Sequence, residues 1–294
     1  MIMRNMIHVI VSKLFWGVLI HIVNDKWYAK IRYWLVLKKW GDFENPTLFT
    51  EKIQHIKLYE RTPIRKLVAD RIKVREYVSE KVGSEPLIPL LGSYKTMTKE
   101  AWDSLPQQFV LKANHGCGMV KIIRSKSDHS YEEIFELTET WKNTDYYKVG
   151  HEWVYKGLSR EIIAEQLLTD SQGQVPKDWK FFCFDGKVKV IQEDIDRFGT
   201  QPQRRNLYDR NFKKIEAELL YPATHQPSKK PALLDEAIRV SEALSQEFNF
   251  IRVDLYITDD QIYFGELTNY PGNGFIPFQP RFWEYEIGAM LDLN

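Results

Sequence analysis

Apolar residues recur along this chain with two different periods, and the change between them near residue 109 divides it. Upstream the spacing is helical. Thr50-Glu51-Lys52, after the turn at Asn45-Pro46-Thr47, opens a helix predicted to run to residue 59. Pro63 opens a second, on which Leu67, Ile72, Val74 and Val78 form one broad apolar stripe, until the segment 83–89 breaks it. Downstream the alternation is that of strands. It predicts strands at 109–112 and 119–123, a helix at 131–142 and a strand at 161–168. Beyond a polar turn region at 169–178, strands at 179–184 and 187–192 flank Asp185-Gly186, a hairpin signal. A helix at 232–248 leads into two adjacent strands, 251–256 and 262–268, joined by the polar turn Asp259-Asp260-Gln261, and a further helix closes the pattern. The chain is thus expected to be α+β, with a mainly helical region at 1–106 (split at 44), a mixed subdomain at 107–168 and a second at 169–294. No internal repeat or low-complexity stretch interrupts it.

The first residues form a class of their own. Segment 7–23 is apolar except for His8, Ser12, Lys13 and His21, and Lys26 to Trp34 then mixes cations with aromatics. The run is slightly short for a span of about 20 residues and carries a central lysine. No small-residue cleavage site follows it, so a secretory signal is not expected. A helix packed on the protein body and a helix lying at a bilayer surface both fit.

Composition narrows the function classes. The 294 residues, 44% hydrophobic, suffice for a sizeable core in two or three packed subdomains. Lys plus Arg number 41 against 40 Asp plus Glu, so no global charge points to nucleic acid. The two cysteines, Cys117 and Cys183, lie in different motifs and offer neither a disulfide framework nor a thiolate metal site, which makes a reducing cytoplasm the default. The seven histidines have no zinc-ligand spacing, and neither a P-loop nor a GxSxG elbow is present.

The candidate chemistry lies in three places. Asp254 and Glu266 sit on the two adjacent strands, side by side near one rim, with Thr268 and Asn269 just beyond. Such hard oxygen ligands suit a Mg²⁺ ion bridging nucleotide phosphates. Arg252 shares a strand face with Asp254, so an ion pair without metal is the competing reading. The turn Pro271-Gly272-Asn273-Gly274 favours a site, because it lets backbone amides approach a ligand. Lys112 leads into the turn Asn114-His115-Gly116-Cys117-Gly118, whose glycines allow backbone N–H groups to cradle phosphate; a solvated lysine on a hairpin has the same pattern. His115 either touches phosphate or caps that turn. Lys180 is a second phosphate lysine or an edge charge. Glu165-Gln166-Leu167-Leu168 ends a strand where an adenine can lie against a backbone edge. Glu193 to Arg197 either holds an anionic acceptor or metal or is a solvated turn. Arg204 and Arg205 suit carboxylate or phosphate, with a flexible surface loop as the default expectation.

Taken in order, these pieces resemble the ATP-grasp superfamily, and within it the TupA-like branch named for teichuronopeptide biosynthesis. The resemblance runs from Asn45-Pro46 through Ala69-Asp70-Arg71, Val74-Arg75-Glu76-Tyr77-Val78, Leu111-Lys112, Asn114-His115-Gly116, Asp178-Trp179-Lys180-Phe181 and Phe184-Asp185-Gly186. It continues through Arg252-Val253-Asp254 and Gly265-Glu266-Leu267-Thr268 to the C-terminus. It implies an ATP-grasp fold with ATP sandwiched between two α+β subdomains. Lys112, His115, Gly116, Gly118 and Lys180 would face its phosphates, and Glu165, Gln166 and Leu168 the adenine. Asp254, Glu266 and either Thr268 or Asn269 would hold Mg²⁺, and Arg252, Lys180 and Arg197 would serve catalysis. The implied reaction is ligation of a carboxylate to an amine through an acylphosphate. The implied partners are a uronic-acid glycan, or its lipid-linked or nucleotide-sugar precursor, and an amino acid or amine. That gives the N-terminal helix a reason to sit on the inner membrane surface, in an otherwise cytoplasmic protein. A sugar kinase using the same nucleotide site is one alternative. Another is a glycosyltransferase or assembly component, with Asp194 and Asp196 mimicking a metal-binding DxD. Asp254→Asn and Glu266→Gln are expected to keep the fold and abolish ADP release.

Overall fold

A computed structural model describes residues 20–170, 173–196 and 202–293. Most of the apolar segment 7–23, and Arg197, lie outside the described residues. Two antiparallel sheets organise the body of the protein. The first contains β1 (Leu90–Tyr94), β2 (Phe109–Ala113), β3 (Val120–Ile123) and β4 (Ile162–Gln166), in the order β1-β4-β2-β3. The second contains β5 (Asp178–Phe184), β6 (Lys187–Ile195) and β7 (Arg204–Asp209). The short β8 (Glu218–Leu219) comes next, and β9 (Phe250–Ile257) and β10 (Ile262–Thr268) complete the second sheet, whose order is β10-β9-β5-β6-β7. The β5–β6 hairpin turns where expected, with Asp185 at φ 47° and Gly186 at φ 70°.

Strand alternation decides what each sheet face does. On one face of the second sheet, Phe181, Cys183, Ile251, Val253 and Leu255 pack against Val74, Val78, Leu234 and Ile238 from helices. The opposite face changes character along its strands. At one end Phe182, Phe184, Val190, Leu207 and Phe250 meet Phe49, Ile53 and Ile56. At the other end the same face carries Lys180, Gln192, Asp194, Arg252, Asp254, Glu266 and Thr268. The first sheet buries Phe109, Leu111, Ala113, Ile162 and Ala164 against Trp102, Ile134 and Trp141, which leaves Val110 and Lys112 on its other face.

Apart from the three-residue turn Ile20–Ile22, the α-helices among the described residues are α1 (Asp25–Leu37), α2 (Phe49–Tyr59), α3 (Pro63–Ala69), α4 (Val74–Val82), α5 (Lys99–Ser104), α6 (Tyr131–Asn143), α7 (Tyr146–Gly150), α8 (Leu234–Ser245) and α9 (Phe282–Ala289). The continuous helix expected after Pro63 is corrected to two. The Asp70 carboxylate accepts from the Ile72 amide at 3.0 Å and from Asn114 Nδ2 at 3.0 Å, so its side chain replaces the next helical turn. β1 and β7 are also corrections, since 90–94 fell in the helical region and Arg204-Arg205 in an expected loop. α1 is capped by Asn24, whose side chain accepts from the Trp27 amide at 3.0 Å. It buries Tyr28, Ala29, Tyr33 and Leu35 against Phe43, Leu58 and Phe275. Among the described residues no helix is long and apolar enough to cross a membrane.

Candidate active site

Between the two sheets lies a cavity of about 540 Å³, walled by Lys112 and Glu165 on one side and by Lys180, Arg252, Glu266 and Thr268 on the other. Cross-strand register explains the second wall. Glu266 pairs with Asp254, Asp254 with Lys180, and Lys180 with Gln192, which sets one polar row across β10, β9, β5 and β6. A bulge between Phe264 and Glu266 precedes the row. Gly265 sits there, and a Cβ on it would lie 3.0 Å from the Asp254 carbonyl.

Charge pairing holds this row in place. Asp254 is 3% exposed. Arg252 donates to it in a fork, Nε to Oδ1 at 2.7 Å and Nη2 to Oδ2 at 2.7 Å, while Lys180 Nζ reaches Oδ2 at 2.6 Å and also Asp178 Oδ2 at 2.6 Å. Glu266 is different: its side chain is 32% exposed and faces the cavity. It accepts from Arg71 Nη2 at 3.2 Å and from Thr268 Oγ1 at 3.1 Å, with Arg252 Nη2 at 3.7 Å. Burial works to raise its pKa, but Arg71, Arg252 and Lys180 outweigh burial and hold it at about 2. Glu266 is therefore an ionised, hard oxygen donor on the cavity wall. That fits a Mg²⁺ ion taking its other ligands from phosphate and water. Asp254, already neutralised by two cations, stands one strand behind.

The expected residues divide cleanly. Thr268 shares the Glu266 face, as period two requires. Asn269 points to the other side, where its amide donates to the Arg65 carbonyl at 2.9 Å and accepts from Arg65 Nη1 at 3.3 Å. Of the two, Thr268 alone is placed beside the carboxylate. Lys112 faces the cavity with Nζ 2.6 Å from Glu165 Oε2. Glu165, Gln166 and Leu168 gather with Val110, Ile122 and Tyr256 around an apolar slot of about 60 Å³, which shares Lys112 and Glu165 with the main cavity. His115 does not line the cavity: it is 2% exposed, with Nε2 3.1 Å from the Trp141 carbonyl and Nδ1 3.3 Å from Asn114 Oδ1. Its ring ties the turn to α6. The Gly116 carbonyl accepts from Arg71 Nη1, and a Cβ there would collide with Met119 and Tyr146. Gly118, at φ 78°, has open space around it.

Several wall residues went unassigned at the sequence level. Arg71 donates to the carbonyls of Ala113 and Gly116 as well as to Glu266, so one side chain joins the glycine turn to the metal-fitting carboxylate. Arg75 bonds Glu165 Oε1 at 3.1 Å and the Ile88 carbonyl at 2.9 Å. Both follow the Asp70 break, which the apolar pattern does not show, so no sequence signal sets them apart from ordinary helix-surface arginines. Glu152 also lines the cavity, and burial pushes its carboxyl up to about 7. Arg205 is a buried strand residue, bonded through Nε to Asp194 Oδ1 at 2.6 Å. Asp194 is thus engaged and is not a free half of a DxD pair.

The sequence model described as TupA-like ATP-grasp matches residues 51–292. No curated protein sequence matches the chain. Among solved structures, D-alanine–D-alanine ligase from Bacillus anthracis complexed with ATP is 17% identical, with a TM-score of 0.41, covering 70% of this chain and 55% of that one. The ATP-grasp ligase PsnB complexed with minimal precursor is 11% identical, with a TM-score of 0.43, covering 78% and 61%. D-alanine–D-alanine ligase from Helicobacter pylori is 13% identical, with a TM-score of 0.41, covering 77% and 59%. The chain spans less than two thirds of the length of each.

Proposed function

The chain belongs to the TupA-like ATP-grasp family, and on that premise we propose that it is an ATP- and Mg²⁺-dependent carboxylate–amine ligase. In this reaction a carboxylate oxygen attacks the γ-phosphorus of ATP, giving an acylphosphate and ADP. An amine then attacks the acyl carbon, expelling phosphate and losing a proton to give the amide. The observation that carries the reading is the row Glu266–Asp254–Lys180 with Arg252 beside it, facing Lys112 across one cavity.

The residues divide the work. Lys112 and Lys180 bind phosphate oxygens, and the slot at Val110, Ile122, Leu168 and Tyr256 takes the adenine. A Mg²⁺ ion held by Glu266 and Thr268 would offset charge that spreads over the transferring phosphoryl group. Arg252, locked in place by the Asp254 fork, presents a fixed cation to the reacting carboxylate. The turn 114–118, tied to Glu266 through Arg71, shields a hydrolysis-prone acylphosphate from water.

The carboxylate we infer is that of a uronic acid in a surface glycan or its lipid-linked or nucleotide-sugar precursor, and the amine an amino acid or simple amine. Peripheral contact with the inner membrane accords with Trp27 and Trp40, 57% and 60% exposed, beside Lys26 and Lys38. The test is ADP release from MgATP with uronates, with and without hydroxylamine to trap an acylphosphate as hydroxamate. Hydroxamate supports the ligase. A stable phosphorylated sugar made without any amine would instead mean a kinase.

A further inference from the structure

Past Lys180 the cavity continues over β6 and β7, and its lining changes there. Gln192 is 1% exposed, and its Nε2 donates to both Asp194 carboxylate oxygens, at 3.1 and 3.2 Å. That fixes the amide. Gln192 lines the cavity, and its Oε1 is buried with no partner among the described residues. A buried carbonyl oxygen without a donor is an energetic liability, and beside a cavity an incoming donor can relieve it. Arg205 is fixed the same way: Nε bonds Asp194 and Nη1 donates to the Leu219 carbonyl at 3.0 Å, and the side chain lines the cavity. The guanidinium lies 5.0 Å over the ring of half-buried Tyr221, which also lines the cavity.

A ligand for this corner must donate to Gln192 Oε1, accept from Arg205 and offer apolar surface to Tyr221. A phosphate meets the first requirement badly, since it is mainly an acceptor. An ammonium is repelled by Arg205. A hydroxyl-bearing ring meets all three, because each hydroxyl donates and accepts and the ring carries an apolar C–H face. We propose that Gln192, Arg205 and Tyr221 form the subsite that holds the sugar ring of the acceptor, an inference that rests on the ligase reading above. The register supports it. Gln192 pairs with Lys180, and neighbouring strands lie about 4.8 Å apart. A ring held at Gln192 therefore sets a carboxylate on it about one ring-width away, at the Lys180–Arg252 cluster.

The probes are galacturonate, glucuronate and trigalacturonate, observed by saturation-transfer NMR on the full chain with MgATP present. Calorimetry with MgATP runs in parallel. The expected result is transfer to the ring protons in the wild type. Affinity should fall roughly tenfold or more in Gln192→Leu and Tyr221→Ala, as when a site loses a hydrogen bond or a packing face, with MgATP affinity kept. Tyr221 is half-buried, so its variant decides the matter if Gln192→Leu does not fold. Equal uronate affinity in the folded variants overturns the subsite. So does a wild type that binds MgATP but none of the three sugars. A wild type that binds no MgATP overturns the ligase reading itself, and the subsite with it.

Discussion

Arg71 Nη2 donates to Glu266 Oε2 at 3.2 Å across 195 residues of sequence, while Nη1 of the same guanidinium holds the carbonyls of Ala113 and Gly116. One planar group thus sets both the glycine turn and the charge of the carboxylate beside it. Replacing it with Met removes the largest influence that lowers the Glu266 pKa. Glu266 must be ionised to act as a metal donor, so its loss of charge moves to higher pH. Arg71→Met is expected to shift the acid limb of kcat/KM upward. It should also cost about 1.5–3 kcal/mol of transition-state stabilisation, the worth of a hydrogen bond to a charged group. A pH–rate profile superimposable on the wild type would rule this out.

Asp254 and Glu266 look equivalent as a pair of carboxylates, but their burial separates them. Asp254→Asn leaves Arg252 and Lys180 buried without their shared counter-charge, and loss of one partner from such a pair costs about 3–5 kcal/mol. The expectation that this variant keeps its fold intact therefore gives way to one of marked destabilisation. Glu266→Gln, at a half-buried site where the amide oxygen can still accept from Arg71, should lose less stability than Asp254→Asn yet lose ADP release. Urea unfolding of both variants beside a coupled ADP assay separates the roles. Equal stability losses in the two would contradict the assignment.

Lys112 bonds Glu165 Oε2 at 2.6 Å, and Arg75 occupies Oε1 at 3.1 Å. The lysine is therefore oriented by a carboxylate that a second cation holds still. Lys112→Ala should weaken MgATP binding at least tenfold, about 1.4 kcal/mol, with little change in stability because Arg75 still pairs with Glu165. Calorimetric titration with MgATP gives the answer directly, and an unaltered dissociation constant would remove Lys112 from the phosphate site.

These relationships show which parts of the molecule the chain announces locally. Strands with apolar residues at alternate positions, such as β5, β9 and β10, declare themselves, and so does the row of polar residues set on them. β7 does not, because Arg205 and Asn206 are buried polar residues whose partners Asp194 and Glu193 lie on β6. The stripe Leu67, Ile72, Val74, Val78 suits an unbroken helix equally well. Only the long-range bond from Asn114 to Asp70 reveals the break that frees Arg71. His115 is likewise indistinguishable from a ligand-facing residue until the Trp141 carbonyl is seen beside it. Thr268 was separable from Asn269 by period two alone, since Glu266 and Thr268 share a face.

The far wall of the cavity depends on a carboxylate outside it. Asp25, at the start of α1, accepts from Tyr147 OH at 2.6 Å, from Arg61 Nη2 at 2.6 Å and makes a 3.0 Å contact with His151 Nδ1. These bonds fasten α1 to the α7 segment that supplies Tyr146, Glu152 and Tyr155 to the cavity. Burial alone would raise the Asp25 pKa, but His151, Tyr147 and Arg61 together hold it well below the carboxylate range. A carboxyl depressed on folding contributes stability above its unfolded value, about 3.9. It loses that contribution as pH falls further through the folded value. Asp25→Asn should accordingly be less stable than wild type by about 1.5–3 kcal/mol at neutral pH, with the gap narrowing below roughly pH 4. Urea unfolding of both proteins from pH 7 to pH 3 measures it. A gap that stayed constant over that range would mean that charge at Asp25 plays no part in holding the wall.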